Sequence, residues 1–221
     1  MAMLMNIPLG TPTYVAIRDQ LRKEIISGEI PYGTRLTIGQ LVDRYGVSQM
    51  PVREALQALQ GEGLITILPH KGARVLSLDA RFVKNVFSIR CAIESLLART
   101  SLPNLTNAAM DELEKAHQRF ILAAQDGDIE RIFTTNKTFH VLCYKYSDNT
   151  EAFQIYDHYN SLFGTLRRLY GYTHQRRVDL IKEHGAILKA LHSRDEERVG
   201  KAVWSHCEAA GVELLASMAK A

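Results

Sequence analysis

Apolar side chains recur at helical spacing along most of the chain, interrupted by one short stretch with the look of strands. Tyr14, Ile17, Leu21 and Ile25 form one stripe, which predicts a first helix starting near Thr13 and closed by Gly28. Pro31 and Gly33 mark the turn that follows. Thr37, with Gln40 three residues later, has the spacing of a capping box, in which each side chain satisfies the other residue's backbone N–H. Leu41 and Val42 give that helix its apolar face, and Gly46 ends it where a left-handed residue is wanted. Only Val47 separates this glycine from Ser48, the N-cap of a second helix over residues 48–61. There Val52, Ala55, Leu56 and Leu59 share one face, and Gln49, Arg53, Gln57 and Gln60 the other. Two short helices joined by a tight glycine turn make a helix-turn-helix. Residues 64–68 then read as a strand, Pro69-His70-Lys71-Gly72 as a turn and residues 73–75 as a returning strand: a hairpin wing with a basic tip.

From residue 78 the strand-like alternation disappears. Helical periodicity predicts six helices, near 80–100, 107–125, 128–146, 150–170, 174–192 and 195–220, with a seventh left open by the counting. Breaks fall at Pro103-Asn104, Gly127, Ser147-Asp148-Asn149, Gly171 and Ser193-Arg194. Short connections between helices of this length imply an antiparallel bundle. The expected fold is mainly α: a winged helix-turn-helix of three helices and a hairpin over residues 1–77, then an all-helical domain over residues 78–221. No Pro/Gly/Ser-rich linker separates them, so they should sit close together.

Composition changes this picture little. A hydrophobic share of 46% and a charged share of 23% are those of a globular protein. No apolar run reaches the roughly 20 residues of a membrane span, which implies no membrane partner. The start MAMLMNIPLG lacks the basic-then-apolar pattern of a signal peptide. Cys91, Cys143 and Cys207 show no pairing motif, so a reducing cytoplasm is expected. The formal charge of +3 is too mild to indicate nucleic acid by itself.

Candidate chemistry sits in two places. The Gln and Arg face of the second helix suits base edges and phosphates in a major groove of double-stranded DNA. In the bundle, His140, His184 and His206 fall on faces where aliphatic side chains are expected. Asn136 and His140, at i and i+4, stand on adjacent turns and could hold one ion together. Imidazole nitrogens with an oxygen ligand suit zinc, nickel or another divalent transition metal. The plain alternative is that each histidine bonds a carbonyl or a neighbour in a metal-free core. Arg90 lies on the apolar stripe between Val83 and Leu97, where it either pairs with Glu94 or awaits an anion. Arg167 and Arg168 are further candidates for closing on a ligand, although helix-surface arginines are ordinarily solvated. Tyr144, Tyr156, Tyr159 and Tyr170 could line a pocket. A metal-dependent enzyme is the rival class; against it, the chain has no HExxH and no Ser or Cys nucleophile motif.

The segments SGEIPYGTRL, YGVSQMPVREAL and LQGEGLITILPHKGARV, within residues 14–75, resemble the N-terminal winged helix of GntR-family bacterial transcription regulators in order and spacing. The resemblance implies DNA contacts from Arg35, Ser48, Gln49, Arg53, His70, Lys71 and Gly72. Gln49-Met50 stands where the family usually has Arg-Thr, which favours adenine over guanine at that position. Residues 80–215 resemble the FCD effector domain of the FadR-type branch, through IRCAIESLLAR, NKTFH at 136–140, EHGAIL at 183–188 and His206-Cys207. That resemblance implies a metal held by Asn136, His140, His184 and His206, with asparagine where many such domains have aspartate. It also implies a small carboxylate effector, for which Arg90 is the anchor. Together these describe a ligand-responsive homodimeric regulator, a repressor released from a two-fold operator. The same regulator with a metal-free effector pocket remains the alternative.

Overall fold

The computed structural model describes residues 11–69, 71–76 and 79–220. It falls into two compact units, Met1–Asp79 and Ala80–Ala221.

In the first unit, α1 (Thr13–Ile26), α2 (Ile38–Tyr45) and α3 (Gln49–Gly61) pack with a small sheet of β1 (Arg35–Leu36), β2 (Ile65–Leu68) and β3 (Gly72–Val75). The Thr37/Gln40 capping box is formed in both directions, and Gly46 caps α2 in the left-handed region at φ 65°. Ser48 precedes α3 in extended conformation without a side-chain cap bond. Ile17, Leu21, Leu41, Val52, Ala55 and Leu59 are buried between the helices. The wing carries one strand more than the hairpin expected from sequence. β1 pairs with β3, Arg35 opposite Arg74 and Leu36 opposite Ala73, so the sheet order is β1-β3-β2. Gly72, at φ +88°, makes this possible: a Cβ there would collide with the Leu36 carbonyl.

The second unit contains α4 (Ala80–Ser101), a 3₁₀ turn (Leu102–Asn104), α5 (Asn107–Asp126), α6 (Ile129–Tyr144), α7 (Thr150–Tyr170), α8 (His174–Ser193) and α9 (Glu196–Met218). Of the six or seven helices expected, six α-helices are present among the described residues. Thr106, Asp128, Asn149, Thr173 and Asp195 cap five of them through side-chain bonds to backbone N–H groups, which fixes where each begins. Asp128 is thus the cap of α6 rather than its first residue. Leu97, Leu113, Phe139, Ile187, Leu191 and Val203 fill the core. Among the described residues, no helix is long and apolar enough to cross a membrane.

Candidate functional site

In the first unit, Arg35, Arg53, Lys71 and Gly72 line one groove of about 490 Å³, with Thr37, Gln57 and Pro69 among its other walls. β1 supplies Arg35, α3 supplies Arg53, and the wing turn supplies Lys71. The Nε of Arg35 donates to the Lys71 carbonyl at 3.0 Å, tying the tip of the wing to β1. Ser48 and Gln49 are exposed at the N-terminus of α3, outside this groove. Gln57 and Gln60 are exposed further along the same helix, as the periodicity requires. His70 lies outside the described residues. The groove therefore joins three exposed cations with a polar helix face, the chemistry that phosphates and base edges accept.

In the second unit, α6, α8 and α9 bring His140, His184 and His206 together. One nitrogen from each lies within 4.8 Å of the others, and all three residues are buried. The Nε2 atoms of His206 and His140 are 3.1 Å apart. His184 is fully enclosed, stacked on Phe139 at 4.3 Å between centroids, and neither of its ring nitrogens has a hydrogen-bond partner. Burial first, then the neighbouring histidines, holds His184 well below the usual imidazole value. His140 is held well below it too, by burial and then by His206 and Arg90. Both are neutral near pH 7 and keep a lone pair to donate.

Asn136, His140 and His206 share a small cavity of about 40 Å³ with Arg90, Asn160 and Arg167. The Oδ1 of Asn136 is buried and without a hydrogen-bond partner. An orphaned amide oxygen, a histidine with two orphaned nitrogens and two more imidazoles form a donor set that fits a divalent metal. A buried polar atom left unpaired costs about 1–3 kcal/mol, so these three orphaned atoms favour an ion that would use them. Arg90 donates from Nε to Glu94 at 2.7 Å and stacks between Phe87 and Phe163, at 4.9 and 5.0 Å from the ring centroids. Of the two alternatives posed from sequence, the pairing with Glu94 is formed, and the same guanidinium lines the cavity.

The sequence families described as "Bacterial regulatory proteins, gntR family" and "FCD domain" match residues 13–75 and 85–209 respectively. The chain belongs to the gntR family, in its FCD branch. It is similar to the uncharacterized HTH-type transcriptional regulator YdhC of Bacillus subtilis (strain 168), 29% identical over 89% of this chain and 88% of that one. The HTH-type transcriptional repressor RspR of Escherichia coli (strain K12) is 29% identical over 85% of this chain and 82% of its own. Among solved structures, E. coli McbR/YncC shares the fold with a TM-score of 0.69 at 22% identity, covering 92% of this chain and 97% of that one. As a gntR regulator with an FCD domain, the chain is a DNA-binding transcription regulator and not an enzyme.

Several residues of the FCD site differ from the sequence expectation. Arg167, a candidate for closing on a ligand for which solvation was the ordinary alternative, is 6% exposed, lines the cavity and pairs with Glu213 at 2.5 Å, because α7 turns this face toward α9. The side chain of Arg168 lies outside the described residues. None of Tyr144, Tyr156, Tyr159 and Tyr170 lines the cavity; Tyr144 and Tyr156 are buried in the core. Tyr144 nevertheless matters, since its hydroxyl lies 3.2 Å from His140 Nδ1 and donates to Glu94 at 2.9 Å. Glu183 accepts from both Nη atoms of Arg176 and lies 2.7 Å from His206 Nδ1. Its burial raises the carboxyl pKa, but the bonds from His206 and Arg176 outweigh this and hold it low. His117, a fourth buried histidine, stands 5.9 Å from His184 between centroids. Sequence presented Glu183 only as part of the EHGAIL segment and did not single out His117, whose place on the inner face of α5 follows the spacing of Leu113, Ala116 and Phe120.

Proposed function

We propose that this chain is a repressor that leaves a two-fold operator when a small carboxylate reaches a metal held by Asn136, His140, His184 and His206. The observation that carries the reading is the donor set itself: three buried histidines with nitrogens within 4.8 Å, plus orphaned atoms on His184 and Asn136. Zinc and nickel suit three imidazoles and an amide oxygen. All four donors are neutral, so a bound divalent ion keeps its full charge and attracts an anion. Aspartate at position 136 would hold the metal more firmly and attract that anion less. The metal would supply a Lewis-acidic point for one carboxylate oxygen, while Arg90 and Arg167, which both line the cavity, would receive another. About 40 Å³ suffices for an ion or a water and not for a carboxylate, so effector entry requires these side chains to move.

The repressor sign is supported by the similarity to RspR, a transcriptional repressor. Two-fold operators suit a homodimer. The exposed Leu96 and Trp204, which share an open groove between α4 and α9, support that face as the place where copies meet. On the DNA side, the Arg35, Arg53 and Lys71 groove supplies the phosphate grip, and Gln49 supplies a base contact.

Metal content measured on untagged protein tests this directly. About one zinc or nickel per chain is expected in the wild type, and none in His184→Ala. A wild type that holds no metal and takes none from added ions would leave the metal-free pocket, with Arg90 as its anchor. A proton shared between the Nε2 atoms of His140 and His206, 3.1 Å apart, would then take the place of the ion.

A further inference from the structure

The two histidines that face each other are each held from behind. A carboxylate oxygen 2.7 Å from His206 Nδ1 can only accept, so a neutral His206 carries its proton on Nδ1 and turns the Nε2 lone pair inward. His140 is arranged in the same sense. The Tyr144 hydroxyl gives its proton to Glu94, so its oxygen accepts from His140 Nδ1, and the Nε2 of His140 is again the free acceptor. Both inward nitrogens then offer lone pairs across 3.1 Å, and neither carries a proton for the other. A cation placed beside them relieves that opposition.

The anchor behind His206 is more than a solvated surface pair. Arg176 is 4% exposed and reaches Glu183 with both Nη atoms, at 2.5 and 2.9 Å, while its Nε is buried without a partner. A buried guanidinium spent on one carboxylate fixes where that carboxylate points. Resting on the metal reading above, we propose that Glu183, clamped by Arg176, is a positioning residue for that site: it sets the tautomer and ring orientation that aim His206 Nε2 at the ion. Partners behind metal-binding histidines commonly change metal affinity by 10- to 100-fold when removed.

The test is calorimetric titration of zinc into metal-stripped full-length protein, comparing the wild type with His206→Ala, Glu183→Ala, Glu183→Gln and Glu183→Met. Zinc binding should vanish in His206→Ala and weaken about 10- to 100-fold in Glu183→Ala. Glu183→Gln keeps an oxygen acceptor and should recover part of that loss, whereas Glu183→Met, of similar size without that acceptor, should not; equal recovery by both would assign Glu183 a bulk-packing role. Imidazole proton–nitrogen correlation spectra of the zinc-loaded wild type give a second readout, which stands even if the Glu183 variants fail to fold. They should show His206 bound through Nε2 with its proton on Nδ1. Zinc on Nδ1 of His206, or wild-type affinity in Glu183→Ala, would overturn the inference while leaving the metal reading intact. No zinc on the wild type would overturn both.

Discussion

At the scale of single residues, the buried histidines make stability depend on pH in a defined direction. His140 and His184 sit well below the ordinary imidazole value, mainly because burial penalises their charged form. In the unfolded chain the same groups titrate near about pH 6.5. Their folded pKa values are depressed, so the stability they contribute is fully present above that pH. It is lost as pH falls below it toward the folded values, because the unfolded chain takes up protons first. Each such group adds a slope of up to about 1.4 kcal/mol per pH unit. Glu183, also held low, adds a loss of the same sign further down, below the usual carboxylate range. Melting temperatures of the metal-free protein should therefore be level above about pH 7 and fall between about pH 6.5 and 5. His184→Leu should flatten that fall. A descent confined to pH values below about 4.3 would assign acid sensitivity to carboxylates alone.

At the scale of elements, the crossing of α4 and α9 shapes one wall of the cavity. Gly211 on α9 is buried against Phe87 on α4, and a Cβ at position 211 would lie 2.8 Å from Phe87 Cγ. Phe87 has little room to yield: it meets Phe163 at 4.5 Å between centroids and carries the Arg90 guanidinium on its face. Overpacking of this kind costs about 1–3 kcal/mol. For a unit of this size Gly211→Ala should lower the melting temperature by a few degrees. An unchanged melting temperature would mean that α4 and α9 separate freely, and that the crossing does not set the wall.

The same scale explains what could be read in advance. Helix ends were legible because caps are local: Thr37 with Gln40, and Gly46 and Gly127 with positive φ, announce themselves within four residues. β1 was not legible, since two residues cannot show alternation and its partner Arg74 lies far along the chain. His140, His184 and His206 stood out because each interrupts an apolar stripe. The contacts behind them did not. Which acid meets which ring nitrogen depends on how α6, α8 and α9 cross, so Glu183 and Tyr144 could be assigned only in three dimensions. For the same reason sequence could name Arg167 only as a candidate beside ordinary solvation, because its face is covered by α9 through Glu213 and the Ala210 carbonyl.

At the scale of the whole molecule, the two candidate sites lie in different units, the groove of Arg35, Arg53 and Lys71 within residues 1–79 and the histidine cluster within residues 80–221. Regulation then requires a coupling free energy, and such a coupling is reciprocal. If a carboxylate bound in the helical unit weakens operator binding by some factor, the operator must weaken carboxylate binding by that factor. Couplings of this kind are typically about 5- to 150-fold. Operator affinity measured by fluorescence anisotropy at one fixed salt concentration, with and without a saturating carboxylate, gives the first factor. Calorimetric titration of the same carboxylate, with and without operator, gives the second. The two factors should agree. On the proposed metal reading, treatment with a chelator should abolish the carboxylate's effect while leaving operator affinity in place, because the groove of Arg35, Arg53 and Lys71 contains none of the proposed donors. If stripped protein still releases the operator on adding carboxylate, the effector acts without the metal. If the two factors disagree, the carboxylate and the operator do not compete through one shared equilibrium, and a second carboxylate site must be sought.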